Sequence, residues 1–414
     1  MFPEKEKQYV RDLAKQYMEV ANDPVQEERR TLWADHFSLK TSRTPVLINF
    51  GMHNVWCREV FSDDVMVCQD PTCRNHERFF RMMLFQADTG CDVVLNPWLT
   101  IGAARPGGWG GLWGVEQGRH CSDMEGGSFQ IDPPIKDCLD MEKLSVTPHK
   151  VDEEQTRQNL ERTRELFGEV IPIDVERGPR YRGFMADIST DIVRLRGLEQ
   201  VMIDMYESPE QLHRLLAFMR DGILQSHQDA EDAGDLSLSC HQNQTMPYSH
   251  DLEWPAPNSG PRRRRDLWGF CAAQEYTGVS PEFHDEFLFQ YQMEIYKHFG
   301  LVHYGCCEDL TRKIDMLRPL KNLRSIAVTP CADVAKCAAQ IGTDYAISWR
   351  PNPTDMVCAG WDEARIRKII RDGMEAMRGQ NVHISLKDVE TVQGDPERLK
   401  RWTKIVRSIV DEYV

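Results

Sequence analysis

Three side chains able to grip a soft metal ion crowd into one short stretch, His303, Cys306 and Cys307, within Leu301-Val-His-Tyr-Gly-Cys-Cys-Glu-Asp-Leu310. Thiolates beside an imidazole suit zinc, and a tetrahedral zinc with one open position is a catalytic one. As a Lewis acid it would polarise an ether oxygen, or hold a thiol as thiolate for attack on a methyl group. Either way its field acts where charge develops. Other groups stand where strands are expected to end. Glu275 is a candidate ligand or general acid, and His241 a second catalytic candidate. Arg350 suits a substrate carboxylate, and Asp388, His53 and Trp98 complete the candidate substrate-binding set. Each has a plainer fate: a packed thiol, a core imidazole, a structural salt bridge or a solvated carboxylate.

The elements that must position these groups alternate. Pro45-Val-Leu-Ile-Asn-Phe50 reads as a buried strand ending near His53, and Asp92-Val-Val-Leu-Asn96 as a second ending near Trp98. Further strands are expected over 182–188, 236–240, 267–271, 301–305, 324–329, 344–348 and 382–386. Helices are expected between them, among them 74–86, 153–167, 198–207, 209–232, 280–299, 362–378 and 397–412. Such alternation implies a parallel sheet. With eight or nine units and a closing helix, the fold expected is α/β, a (β/α)8 TIM-type barrel formed as a single domain over residues 1–414. Residues 1–45 would be a helical N-terminal extension. Residues 97–148, with Pro106-Gly-Gly-Trp-Gly-Gly-Leu-Trp-Gly114, would be an inserted Gly/Trp-rich lid. Its glycines lack the following Lys-Ser/Thr of a phosphate loop. Six tryptophans (98, 109, 113, 254, 268 and 349) fall near strand exits or insertions, which suggests an apolar mouth for an aromatic or quaternary-ammonium substrate.

Composition excludes several classes. With 414 residues, 41% of them hydrophobic, a large core is affordable, and no apolar run approaches the ~18 residues of a membrane span. A net charge of −15 argues against nucleic acid. Arg262 to Arg265 follow a Pro/Gly-rich stretch and read as a solvated loop. Thirteen cysteines at irregular spacing, after a charged start at Glu4-Lys-Glu-Lys7, suggest reduced thiols in the cytoplasm.

From about residue 180 to 410 the chain resembles the uroporphyrinogen decarboxylase-like superfamily. The residues concerned are Leu198-Glu-Gln-Val-Met-Ile-Asp-Met-Tyr-Glu-Ser-Pro-Glu210, the helix start Ser280-Pro-Glu-Phe283, Leu301-Val-His303, Ala332-Asp-Val334 and Ile341-Gly342. Within it, the Gly-Cys-Cys-Glu stretch looks most like zinc-dependent corrinoid methyltransferases of O-demethylase type. The resemblance implies a metal held by His303, Cys306 and Cys307, with Glu308 or Asp388 as further candidates. The family's cysteine stands two residues after its histidine, whereas here it stands three after. The last strand also ends without a cysteine. A methyl group would move between a small methylated donor, a methyl ether or methylamine-like compound, and the cobalt of a corrinoid. The chain lacks an Asp-x-His-x-x-Gly anchor, so that cofactor would arrive on a separate corrinoid protein; a homodimer is a possible assembly. The alternatives are a decarboxylase of a tetrapyrrole or related acid, with an arginine-lined pocket, and a non-catalytic barrel that docks a corrinoid protein.

Overall fold

Six buried apolar runs pair into one parallel sheet: β1 (Val46–Ile48), β6 (Trp268–Cys271), β7 (Leu301–Tyr304), β8 (Leu323–Val328), β9 (Ala346–Trp349) and β10 (Val382–Leu386). Their order is β1-β10-β9-β8-β7-β6, every pair parallel. Almost every residue in them is buried, as strands covered on both faces should be. Between them lie β2 (Leu99–Gly102) with its parallel partner β5 (Ile173–Glu176), and the antiparallel hairpin β3 (Gly118–Cys121) with β4 (Phe129–Asp132). The computed structural model describes every residue except 1, 41, 50–55, 57, 107–110, 112, 122–128, 359 and 414. The architecture is mixed α/β around a central parallel sheet. Among the described residues, no helix is long and apolar enough to cross a membrane.

The helices start where their caps dictate. Asp70 accepts from Thr72 N–H at 2.9 Å and Cys73 N–H at 3.0 Å to begin Pro71–Asp88, and Asp152, Asp333 and Asp362 cap Glu153–Phe167, Val334–Ile341 and Glu363–Ala376 in the same way. The first two helices, Glu4–Ala21 and Val25–Phe37, pack ahead of β1. The helix expected over 280–299 starts on a Ser280 cap, but a π turn at Asp285–Phe289 interrupts it and it ends at Tyr296. That extra residue in the turn places Gln292, whose amide donates to the carbonyls of Asp187 (2.6 Å) and Ala272 (2.8 Å).

Three expected strands are absent. Residues 92–95 are extended beside β1, with Asp92 N–H donating to Val46 O at 2.7 Å. Their remaining backbone groups go to side chains of Val25–Phe37: Trp33 to Asp92 O, Arg29 to Val93 O, Gln26 to Leu95 N–H and Arg30 to Leu95 O. A helix has taken the partners a neighbouring strand would use. Residues 182–188 hold a short turn at Gly183–Met185 and lead into the helix Ser189–Arg196; the strand lies earlier, at β5. Leu238–Cys240 is likewise a single turn.

The tryptophans expected around a mouth mostly serve the core. Trp113, Trp268 and Trp349 are buried, and Trp113 Nε1 donates to Asp191 at 2.8 Å. Trp254 is pinned to Ser249 O, and Trp109 lies outside the described residues.

Candidate functional site

At the carboxyl end of β7 the chain turns through Gly305, whose φ of +102° favours glycine. A Cβ there would meet Ala327 Cβ and Leu310 Cδ1 at 3.0 Å. The turn delivers Cys306 and Cys307 with their sulfurs 3.5 Å apart, Cys306 buried and Cys307 exposed. From the end of β10 comes Lys387, whose Nζ stands 3.3 Å from Cys306 Sγ, 3.5 Å from Cys307 Sγ and 2.9 Å from Asp388 Oδ2. Asp388 adopts φ +56°, a strained value that a carboxylate held in an ion pair sustains. Two strands, β8 and β9, separate β7 from β10 in the sheet, and the long Lys387 side chain spans them to reach the sulfurs.

A hydrogen bond between the sulfurs, and then the nearby charges, set which sulfur is ionised. Cys306 is held below the ordinary thiol range, first by a hydrogen bond from the Cys307 thiol, then by Lys387 and Arg350, against the opposing effect of burial. The Cys307 thiol is pushed up, chiefly because it donates to Cys306. Burial lowers Lys387, yet Cys306, Asp388 and Cys307 outweigh it, so its ammonium is strengthened. Glu308 fixes the backbone of the thiol turn: one oxygen accepts from Cys306 N–H and the other from Ala273 N–H, both at 2.7 Å. Burial raises Glu308, against those same amides.

His303 is fully buried and points elsewhere. Its Nδ1 meets Ser325 Oγ at 3.1 Å and its Nε2 lies 3.3 Å from the Arg350 guanidinium. Burial, then Arg350, hold it well below the usual imidazole value, so it is neutral. Arg350 also donates to the carbonyl of Cys306, which makes it a clamp on the thiol turn. Zinc therefore fails a geometric test with His303, Cys306 and Cys307 as ligands. The imidazole faces a guanidinium, and the cation among the sulfurs is Lys387. Among the described residues no three His, Cys, Asp or Glu side chains gather in a way that could hold a metal.

Glu275, half-buried, accepts from Ser189 Oγ at 2.8 Å and stands among the buried acids Asp187, Asp191 and Glu308. Of these, Asp187 is raised well above the carboxylate range by burial and by Glu275, with Asp191 and Glu308 adding to the effect. His241 receives Trp268 N–H at Nδ1 (3.1 Å) and meets Glu253 O with Nε2 (3.1 Å). With both nitrogens on backbone groups, this ring braces β6 and has no free edge for proton transfer. His53 lies outside the described residues.

Two cavities open among these elements, one of them beside the thiols. One, of about 500 Å³, is lined by Arg182, Phe184, His241, Gln244 and Phe270 among others. Phe270 packs against Cys306, and Gln244 hydrogen-bonds its side chain. Arg182 is paired with Glu176, and Arg105 is held below its usual value by burial, then by Arg182 and Arg180, against Glu176. The other cavity, of about 660 Å³, contains Trp98, Asn49 and Met246.

Sequence reasoning missed Lys387, Gln244 and Arg182. Lys387 carried a usable signal, since it directly follows the apolar run of β10 and strand exits were already the places to look. Gln244 and Arg182 sit in irregular chain, where no period marks direction. No protein-family model matches this chain, and no curated protein is significantly similar to it.

Proposed function

We propose that the chain is a methyltransferase that takes the methyl group of a small methylated compound at the Cys306–Cys307 pair, with a separate corrinoid protein as the other party, on a closed (β/α)8 barrel in the cytoplasm. One observation carries the reading: two sulfurs 3.5 Å apart share a lysine ammonium at a parallel strand exit. That is the end where parallel barrels assemble their sites. Closure is supported at both sheet edges. Asp92 N–H bonds to Val46 O beyond β1, Gln242 N–H bonds to Trp268 O beyond β6, and Asn49 Nδ2 reaches Gln244 O at 2.9 Å.

The chain's residues divide the work. Lys387 and Arg350 favour the Cys306 thiolate. Its sulfur attacks the methyl carbon, forming S–C while the donor's C–O or C–N bond breaks and the electron pair leaves on the heteroatom. The proton that atom needs lies within reach on Cys307 or Lys387. Glu308 and the Arg350 clamp keep the sulfur in line. No step is routed through zinc, for which the donors are not gathered.

A second reading, decarboxylation of an acid, is favoured by Arg182 at the cavity beside Cys306, with Arg105 and Arg180 nearby. The deciding experiment incubates purified protein with methyl ethers and methylamines carrying isotopic methyl, with and without a reduced corrinoid acceptor. Label on Cys306 or on the acceptor supports methyl transfer. Carbon dioxide released from carboxylic acids, with no label moved, supports the second reading. Metal content measured in parallel, with His303→Ala and Cys306→Ala, decides whether zinc belongs to the working protein.

A further inference from the structure

We propose that the cavity of about 660 Å³ between the helix Pro71–Asp88 and residues 93–101 is a chamber for an uncharged aromatic molecule. Its apolar lining includes Trp98, Phe79, Tyr17, Met83 and Met246. Its polar lining consists of amides, a threonine hydroxyl and one imidazole; no charged side chain is among the described residues that line it. Burial pushes His76 down to about 4, so that ring too is neutral. An ion held against this lining would give up part of its water for no counter-charge, a cost that a neutral ring does not meet. Aromatic faces with a few amide groups instead match a flat molecule carrying one or two polar atoms.

The chamber lies beside the end of β1 and shares no lining residue with the Arg182 cavity. Asn49 lines it, and Asn49 N–H bonds to Leu386 O at 2.8 Å, one residue before Lys387. Gln244 lines the Arg182 cavity while Met246 lines this one, so residues 244–246 form the partition. The two spaces thus differ in character, one bordered by the Arg182–Glu176 pair and one lined by aromatic rings and amides. That the neutral ring is the methyl donor rests on the methyl-transfer reading; the binding preference does not.

Calorimetry with three probes of one size tests this: anisole, benzoate and trimethylphenylammonium. Anisole is expected to bind at least about tenfold more tightly than either ion. The cation is the sharper control, because aromatic faces alone would attract it. Met83→Trp, whose bulk narrows the chamber, should weaken anisole binding. Phe79→Glu, on a half-buried position, should weaken anisole and admit the cation. Equal binding of an ion to the wild-type protein, or anisole binding that neither substitution weakens, overturns the proposal. Anisole binding with no methyl transfer from any donor would instead leave the chamber standing and remove the proposed reaction. Methyl transfer indifferent to Met83→Trp would do the reverse.

Discussion

Around Cys306 the neighbours are cations and a donating thiol, Lys387 from the end of β10 and Arg350 from the end of β9. Around Asp187 the neighbours are carboxyls, Glu275, Asp191 and Glu308. Both groups are buried, so burial alone cannot explain why one is held ionised and the other protonated. The difference comes from which strands face them. The β9 and β10 exits supply positive charge, whereas the β6 exit and the helix Ser189–Arg196 supply acids. One side therefore favours an anion and the other favours protonated acids, the pairing that the proposed methyl transfer would use.

The largest effect should come from removing the anion itself. Cys306→Ser is expected to lower methyl transfer by about 10³-fold or more with circular dichroism unchanged. Lys387→Met attacks the comparison at its source. With the ammonium gone the thiol's affinity for its proton rises, so the thiolate fraction at neutral pH falls. Transfer at pH 7 should drop about 10²-fold and recover partly at higher pH, seen as an acid limb displaced upward. Glu308→Gln keeps the shape but leaves an amide N–H₂ against a backbone N–H. Denaturant melts should show a loss of about 1–3 kcal/mol.

Asp187→Asn probes the proton-storing side. Because the native carboxyl is raised, its stabilising contribution is complete below the ordinary carboxyl range and is lost as pH rises through the native value. Wild-type Tm should therefore fall with rising pH more steeply than that of the variant, and the two should converge in acid. His241→Ala is the smallest and the plainest, a stability loss of about 1–2 kcal/mol at neutral pH with the pH profile of methyl transfer unchanged, since its nitrogens only brace backbone.

The regular half of the molecule was legible because its strands obey one rule. β6 to β10 are short buried runs between amphipathic helices, so the parallel sheet and the rim carrying Cys306, Cys307, Arg350 and Asp388 follow from periodicity. The other half hid its strands for physical reasons. β5 places Asp174 and Glu176 at buried positions, where Ser239, Asn258 and Arg182 satisfy them, so it reads as polar. Residues 92–95 are apolar enough for a strand, but the helix Val25–Phe37 claims their backbone. In the site itself, residue types marked the thiol turn, while side-chain direction was invisible. Nothing in the spacing tells that His303 faces Arg350 or that Lys387 stands between the sulfurs.

The most direct test of this account is the pH dependence of Cys306 alkylation by iodoacetamide, with peptide mass spectrometry separating it from Cys307. Cys306 should be the faster of the two, with a midpoint below about pH 7 that moves upward in Lys387→Met. A midpoint at the ordinary thiol value of about 8.5, unmoved by that substitution, would contradict it.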